Sequence, residues 1–292
     1  MPEFGYVCAH NLEEALGWLN EPGWRSRVLA GGTDLLVQAR SGPVNFDRLV
    51  DVTRLPELNT LEVSADPGGP VVIGAAVTFS RLLRHAGLRA QAPLLVEACS
   101  AIGSPQIRNA GTLGGNVANA AACADSVPAL VALEAEALIV SPAGETRCPV
   151  AELITGTHRT QLPPGSLIRA FRFAVPPAGS RHAFERLGRR RAMAIARLSL
   201  AALGGCDAQG QVAWLRLVPG AAFATFRRVR AVEESLVGQR PDPEGFVAAG
   251  RQMAGLFLAE SGRRWSAEWK EKALAALTER ALQRVLGGSD AH

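Results

Sequence analysis

Two glycine turns carry the clearest chemistry in this sequence. Ala30-Gly31-Gly32-Thr33-Asp34 follows the apolar pair Val28-Leu29, and residues 102–119 read IGSPQIRNAGTLGGNVAN, with Gly111-Thr112-Leu113-Gly114-Gly115-Asn116 at their centre. Glycines let the backbone turn sharply and let a bulky anion come close to peptide N–H groups. Neighbouring threonine hydroxyls, and the N–H groups that open a following helix, add donors. This is phosphate-cradle chemistry, but the spacing is neither GxGxxG nor GxxxxGK[ST], so a phosphate-cleaving enzyme would lack its central lysine. A strand ending in Gly-Gly is, on its own, more often just a tight turn. Two such turns about eighty residues apart can grip the two ends of one dinucleotide. The alternative is a glycine-rich structural loop, although loops without function are rarely this rich in small residues. Asp125 ends the stretch, placed to accept a hydrogen bond from a ribose or from a backbone turn.

Other chemistries find little support. Cys8, Cys99, Cys123, Cys148 and Cys206 stand singly with no CxxC pair, so neither zinc nor an iron–sulfur cluster has its usual ligand spacing. Five is an odd number and fits reduced thiols. The histidines are few and scattered, so redox chemistry here requires an organic cofactor rather than a metal held by this chain. The net charge of +4 is uneven: residues 181–292 hold 18 Lys+Arg against 11 Asp+Glu. Those arginines are dispersed without interleaved aromatics, which argues against nucleic acid; docking on an acidic partner surface is preferred to it, and a solvated surface with no role is the simplest reading. A content of 48% hydrophobic and 20% charged residues is that of an ordinary globular protein. The N-terminus lacks the pattern of a secretion signal and no apolar run is long enough to span a bilayer, so the chain reads as cytoplasmic, or as exported only by riding with a partner.

The elements that must position the turns alternate along the first half. Asn11 and Glu14 form a capping-box-like start for a helix through Leu19. Strands are expected at Val28–Ala30, Leu49–Val52, Thr60–Ser64 and Val71–Ala75, the last two around a turn at 66–70. Short helices follow near Ser80–His85 and Pro93–Ser100, whereas 101–126 shows little periodicity. A helix near Ser126–Leu133 and strands near 137–141, 146–148 and 167–175 lead to a linker at 176–179. Beyond it, antiparallel strands at Ala183–Leu187, Leu198–Cys206 and Val212–Val218 precede helices at Val229–Val237, Glu244–Leu258 and Ala267–Leu286. Ser266 is read as the N-cap of the last helix and Gly287-Gly288 as its stop.

The stretches AGGTDLLVQ, IGAAVTFSRL, IGSPQIRNAGTLGGNVANAAACADS and FERLGRRRAMAIARLSLA resemble the FAD-binding subunit of the molybdenum hydroxylases, the xanthine, carbon-monoxide and nicotinate dehydrogenase group. The likeness runs over nearly the whole chain in the same order. It implies an α+β fold with a two-lobed FAD-binding domain of the vanillyl-alcohol-oxidase type at 1–177, its lobes near 1–57 and 58–177. A smaller domain at 178–292, a three-stranded antiparallel sheet with helices, would follow. The resemblance implies FAD in this chain, and the molybdenum cofactor and 2Fe–2S clusters in partner subunits. Electrons would pass from an iron–sulfur subunit, fed by a molybdenum subunit, to the flavin and on to NAD or another acceptor.

By the same resemblance Ala30, Gly31, Gly32, Thr33 and Asp34 would wrap the FAD pyrophosphate, with Val28 and Leu29 leading in. Gly111, Thr112, Leu113, Gly114, Gly115 and Asn116 would form the second cradle. Ile102 would lie beside the cofactor, Asp125 would hold ribose or adenine-side groups, and Leu167 and Ile168 would pack on the adenine end. Arg186 stands where many relatives have a lysine reaching the flavin; it keeps the charge but changes its geometry. Ala221–Thr225 departs from the family's proline-containing run. No catalytic acid or base and no metal ligand is implied. Arg108 and Asn109 are as readily braces of a loop as phosphate contacts, and the Arg189-Arg190-Arg191 run reads more simply as a solvated turn. His158 and Arg159 are weighed against direct cofactor contact, and Trp265 and Trp269 are candidate interface anchors. The rival function is a stand-alone FAD-dependent reductase of the same fold, for which no proton donor stands out.

Overall fold

The computed structural model describes residues 4–190, 194–262 and 266–287. Arg191, Trp265 and Gly288 lie outside them. Among the described residues the chain forms an α+β fold with three sheets and a small hairpin.

The first sheet is parallel, with β3 (Arg48–Asp51) between β1 (Gly5–Cys8) and β2 (Ser26–Leu29). Parallel neighbours need crossover connections, here supplied by helices Leu12–Asn20 and Leu35–Ser41. The first helix starts as its sequence indicates. Asn11 Oδ1 accepts from Glu14 N–H at 2.8 Å, and the Glu14 carboxylate accepts from His10 N–H at 2.8 Å.

A five-stranded antiparallel sheet makes the second lobe, from β4 (Leu61–Val63), β5 (Pro70–Gly74), β6 (Glu136–Ser141), β7 (Gly144–Pro149) and β10 (Leu167–Ala174). Its order is β4-β5-β10-β6-β7, so β10 runs down the centre. Both faces of a central strand are covered, which is why β10 carries Leu167, Ile168, Ala170, Phe171 and Phe173, all buried. A small hairpin of β8 (Ile154–Gly156) and β9 (Arg159–Thr160) precedes β10. Six short helices lie between β5 and β6, including Pro105–Ala110 and Leu113–Asn119 in a stretch whose sequence shows no helical period. Side-chain oxygens supply the missing signal, because Ser104 and Thr112 cap these two helices.

The C-terminal sheet has β12 (Ala196–Cys206) between β11 (Arg181–Gly188) and β13 (Val212–Gly220), all antiparallel. Alternate residues of β12 face opposite cores. Leu198, Leu200 and Ala202 join the helices Pro243–Ser261 and Ala267–Leu286, while Ala201 and Leu203 join the core beneath the first two sheets. One sheet thus seals both halves of the chain together. Leu274, Leu277, Ala281 and Val285 form the inner stripe of the last helix. Ser266 precedes that helix without making a side-chain cap, and the expected helix at 229–237 is reduced to Arg230–Glu234. Ala221 adopts φ +56°, and Lys270 Nζ donates to its carbonyl at 2.7 Å.

Candidate functional site: a cleft between two lobes

Beyond Leu29 the chain turns through Ala30–Asp34 into the helix Leu35–Ser41. Gly32 sits at φ +65°, and a Cβ on Gly31 would lie 2.0 Å from the Ala110 carbonyl oxygen. Only glycine permits that approach, so the first turn packs directly on the chain entering the second. Two motifs distant in sequence thereby become one wall. Among the described residues, none accepts a hydrogen bond from the N–H groups of Gly31, Gly32, Thr33 or Asp34. Backbone donors are normally paired, and four successive open ones form a nest suited to an anion.

These residues line a cleft of about 820 Å³ between the lobes. The second glycine turn contributes to this lining differently. Leu113 N–H donates to the Val77 carbonyl at 3.1 Å and Gly114 N–H to Ala75 at 2.9 Å. Gly115 N–H donates to Thr112 Oγ1 at 3.1 Å. The donors that open this helix are therefore already engaged. A Cβ on Gly114 would meet the Ala75 Cβ at 2.5 Å, whereas a Cβ on Gly115 would meet only Thr112 Oγ1, at 2.9 Å. Gly114 seats the helix against the end of β5, and Gly115 leaves the cleft wall open.

Of the residues singled out from sequence, Val28, Ala30, Gly31, Gly32, Thr33, Asp34, Ile102, Gly111, Thr112, Gly114, Gly115, Asn116, Leu167 and Ile168 all line this cleft. Leu29 packs against Ala39, Phe46 and Leu49, and Leu113 is fully buried in the main core. Asp125 and Arg186 lie outside the lining and engage each other, Arg186 Nε to Asp125 Oδ2 at 2.9 Å. Arg186 also bonds the Ala194 carbonyl. Asp125 is 5% exposed and its Oδ1 has no partner. Burial pushes its carboxyl up to about 6, and the adjacent guanidinium only partly opposes that. Arg108 donates to the Ile102 and Gly103 carbonyls, bracing the loop.

His158 and Arg159, for which the sequence reading weighs a direct contact and comes down against it, do line the cleft, and Thr155, Thr160, Gln38 and Asn119, not singled out from sequence, line it with them. The described residues contain no cluster of metal ligands and no helix long and apolar enough to cross a membrane. The donor nest beside a wall of small residues fits the diphosphate of a dinucleotide, and the cleft has ligand-site dimensions.

Fold and cleft together define a dinucleotide-binding protein. Residues 2–176 match the family of the FAD binding domain in molybdopterin dehydrogenase, and 182–285 match the CO dehydrogenase flavoprotein C-terminal domain. The chain belongs to this family and is an oxidoreductase subunit that binds FAD. It is 29% identical to the alpha subunit of the 6-hydroxypseudooxynicotine dehydrogenase complex of Paenarthrobacter nicotinovorans, over 98% of this chain and 95% of the relative. It is 29% identical to the nicotinate dehydrogenase FAD-subunit of Eubacterium barkeri, over 82% and 81%. Among solved structures, a carbon monoxide dehydrogenase of Hydrogenophaga pseudoflava, lacking the Mo-pyranopterin moiety of its molybdenum cofactor, superposes with a TM-score of 0.89. It shares 28% identity over 97% of both chains.

Proposed function

We propose that this chain is the FAD-carrying electron-transfer subunit of a molybdenum-cofactor dehydrogenase. An iron–sulfur subunit delivers electrons from a molybdenum-cofactor subunit, and NAD or another external acceptor removes them. The open N–H groups of Gly31–Asp34 carry the reading, since they offer the donors that a diphosphate needs. In it, Ala30–Asp34 hold the diphosphate, Thr33 adds a hydroxyl, and Gly111–Asn116 shape the adjoining wall. Ile102, Leu167 and Ile168 supply apolar contact. Asp125 and Arg186 pair with each other outside the lining, where Arg186 keeps a positive charge. FAD, when bound, supplies the redox chemistry; this chain binds it, orients it and sets its electrostatic surroundings.

The names of the relatives support the partners: one is a subunit of a dehydrogenase complex, and another belongs to an enzyme with a molybdenum cofactor. The division into 1–177, with lobes near 1–57 and 58–177, and 178–292 belongs to the same reading, as does a cytoplasmic location. The five cysteines, none in a disulfide, are consistent with that compartment. The test is to mix the isolated, FAD-loaded chain with purines, aldehydes and N-heterocycles. The flavin should stay oxidised; bleaching without partner subunits would favour a stand-alone reductase.

A further inference from the structure

His158 stands in the turn of hairpin β8–β9, anchored at two points and open to the cleft. Its φ is +55°, a left-handed conformation that non-glycine residues rarely adopt. Its N–H donates to the Ala120 carbonyl and its ring Nδ1 lies 2.8 Å from the Asn119 carbonyl oxygen, both at the end of the helix Leu113–Asn119. Its side chain nevertheless remains exposed and lines the cleft. A carbonyl oxygen can only accept, so Nδ1 carries the proton. In the neutral ring, Nε2 is then left with a lone pair. The Asn119 side chain continues the link, its Oδ1 accepting from Gln38 Nε2 at 3.2 Å. Helix Leu35–Ser41 of the first lobe is thereby tied through Asn119 to the hairpin of the second, and Gln38, Asn119 and His158 all line the cleft. The ring is held in one orientation and one tautomer at the edge of the dinucleotide site.

We propose that His158 is a cofactor-contacting residue whose Nε2 accepts a hydrogen bond from a hydroxyl or amino group of the bound dinucleotide. The proposal rests on FAD occupying this cleft. The ring's doubly anchored placement in the cleft lining assigns the hairpin β8–β9 a ligand-binding role beyond that of the two glycine turns.

The informative variant is His158→Asn. Asparagine tolerates the left-handed backbone, and its amide can take the place of Nδ1 as donor to Asn119, but nothing in it reaches the position of Nε2. Apo-protein of the full chain, stripped of flavin, is titrated with FAD while flavin fluorescence is followed. His158→Asn should bind FAD roughly threefold to tenfold more weakly, the range expected for one lost hydrogen bond, with the melting temperature of the apo-protein unchanged. His158→Gly, which also releases the hairpin, should bind more weakly still. Titrating wild type and His158→Asn with the 2′-deoxyadenosine and hypoxanthine analogues of FAD identifies the donor. The analogue lacking it loses affinity for wild type but not further for the variant; sensitivity to neither leaves the adenosine 3′-hydroxyl and the ribityl hydroxyls as donors. If His158→Asn binds FAD as tightly as wild type, the ring is a structural anchor only and the proposal is wrong. If wild-type apo-protein itself fails to bind FAD, the assignment of the cleft is what fails.

Discussion

Arg186 and Asp125 join the C-terminal sheet to the end of the glycine-rich segment through a contact of 2.9 Å between Nε and Oδ2. The other carboxylate oxygen is buried without a partner. Charge attraction and desolvation therefore oppose each other at Asp125, and desolvation dominates.

The consequence is a pH dependence of definite sign. Burial pushes the Asp125 carboxyl up to about 6, above the ordinary aspartate range, so the fold favours its protonated form. Its contribution to stability is greatest at low pH and declines as pH rises from about 4 to about 6, by up to roughly 3 kcal/mol. Urea unfolding of wild type and Asp125→Asn across that range should show wild type losing stability relative to the variant as pH rises. Parallel profiles would mean that Asp125 titrates normally.

Gly114 and Gly115 are adjacent but should fail differently. Gly114→Ala drives a methyl group into Ala75, costing about 1–3 kcal/mol of stability and lowering the melting temperature. Gly115→Val disturbs the Thr112 cap and fills open cleft. FAD binding should weaken about a hundredfold, on the order of 3 kcal/mol, while far-UV circular dichroism stays close to wild type. Fully FAD-loaded, folded Gly115→Val would make this loop purely structural.

Arg284 is a bridge between domains. Its guanidinium reaches Glu97 at 2.9 Å and Glu185 at 3.0 Å, and Glu97 also accepts from Phe184 N–H at 3.0 Å. Arg284→Ala should cost about 1–2 kcal/mol, because the pair is only partly buried, and should lower the melting temperature by a few degrees. FAD stoichiometry should not change, since Arg284 does not line the cleft. An unchanged melting temperature would show that the bridge contributes nothing.

The parts legible in the sequence are those fixed by local pattern. The hairpin of β12 and β13 announces itself by alternation and by Asp207, whose Oδ1 accepts from both Gln209 and Gln211 N–H. The last helix shows its buried stripe directly. The glycine turns were readable because their residue types serve backbone approach, and Gly31 against Ala110 is that approach. What escaped depends on distant partners. Leu113–Asn119 is helical despite two glycines and two asparagines because Thr112 caps it and Ala75 and Val77 accept its first N–H groups. The hairpin at His158 is held by Ala120, and the Asp125–Arg186 pair spans 61 positions. No local periodicity encodes either contact.

Purifying the tagged chain from its native cell and measuring flavin, iron and molybdenum per chain decides whether it carries electrons for a molybdenum enzyme. The electron-transfer reading predicts about one FAD per chain, with iron and molybdenum co-purifying on two further polypeptides. FAD-loaded chain obtained without either metal, its flavin reduced directly by a small-molecule substrate, would contradict it.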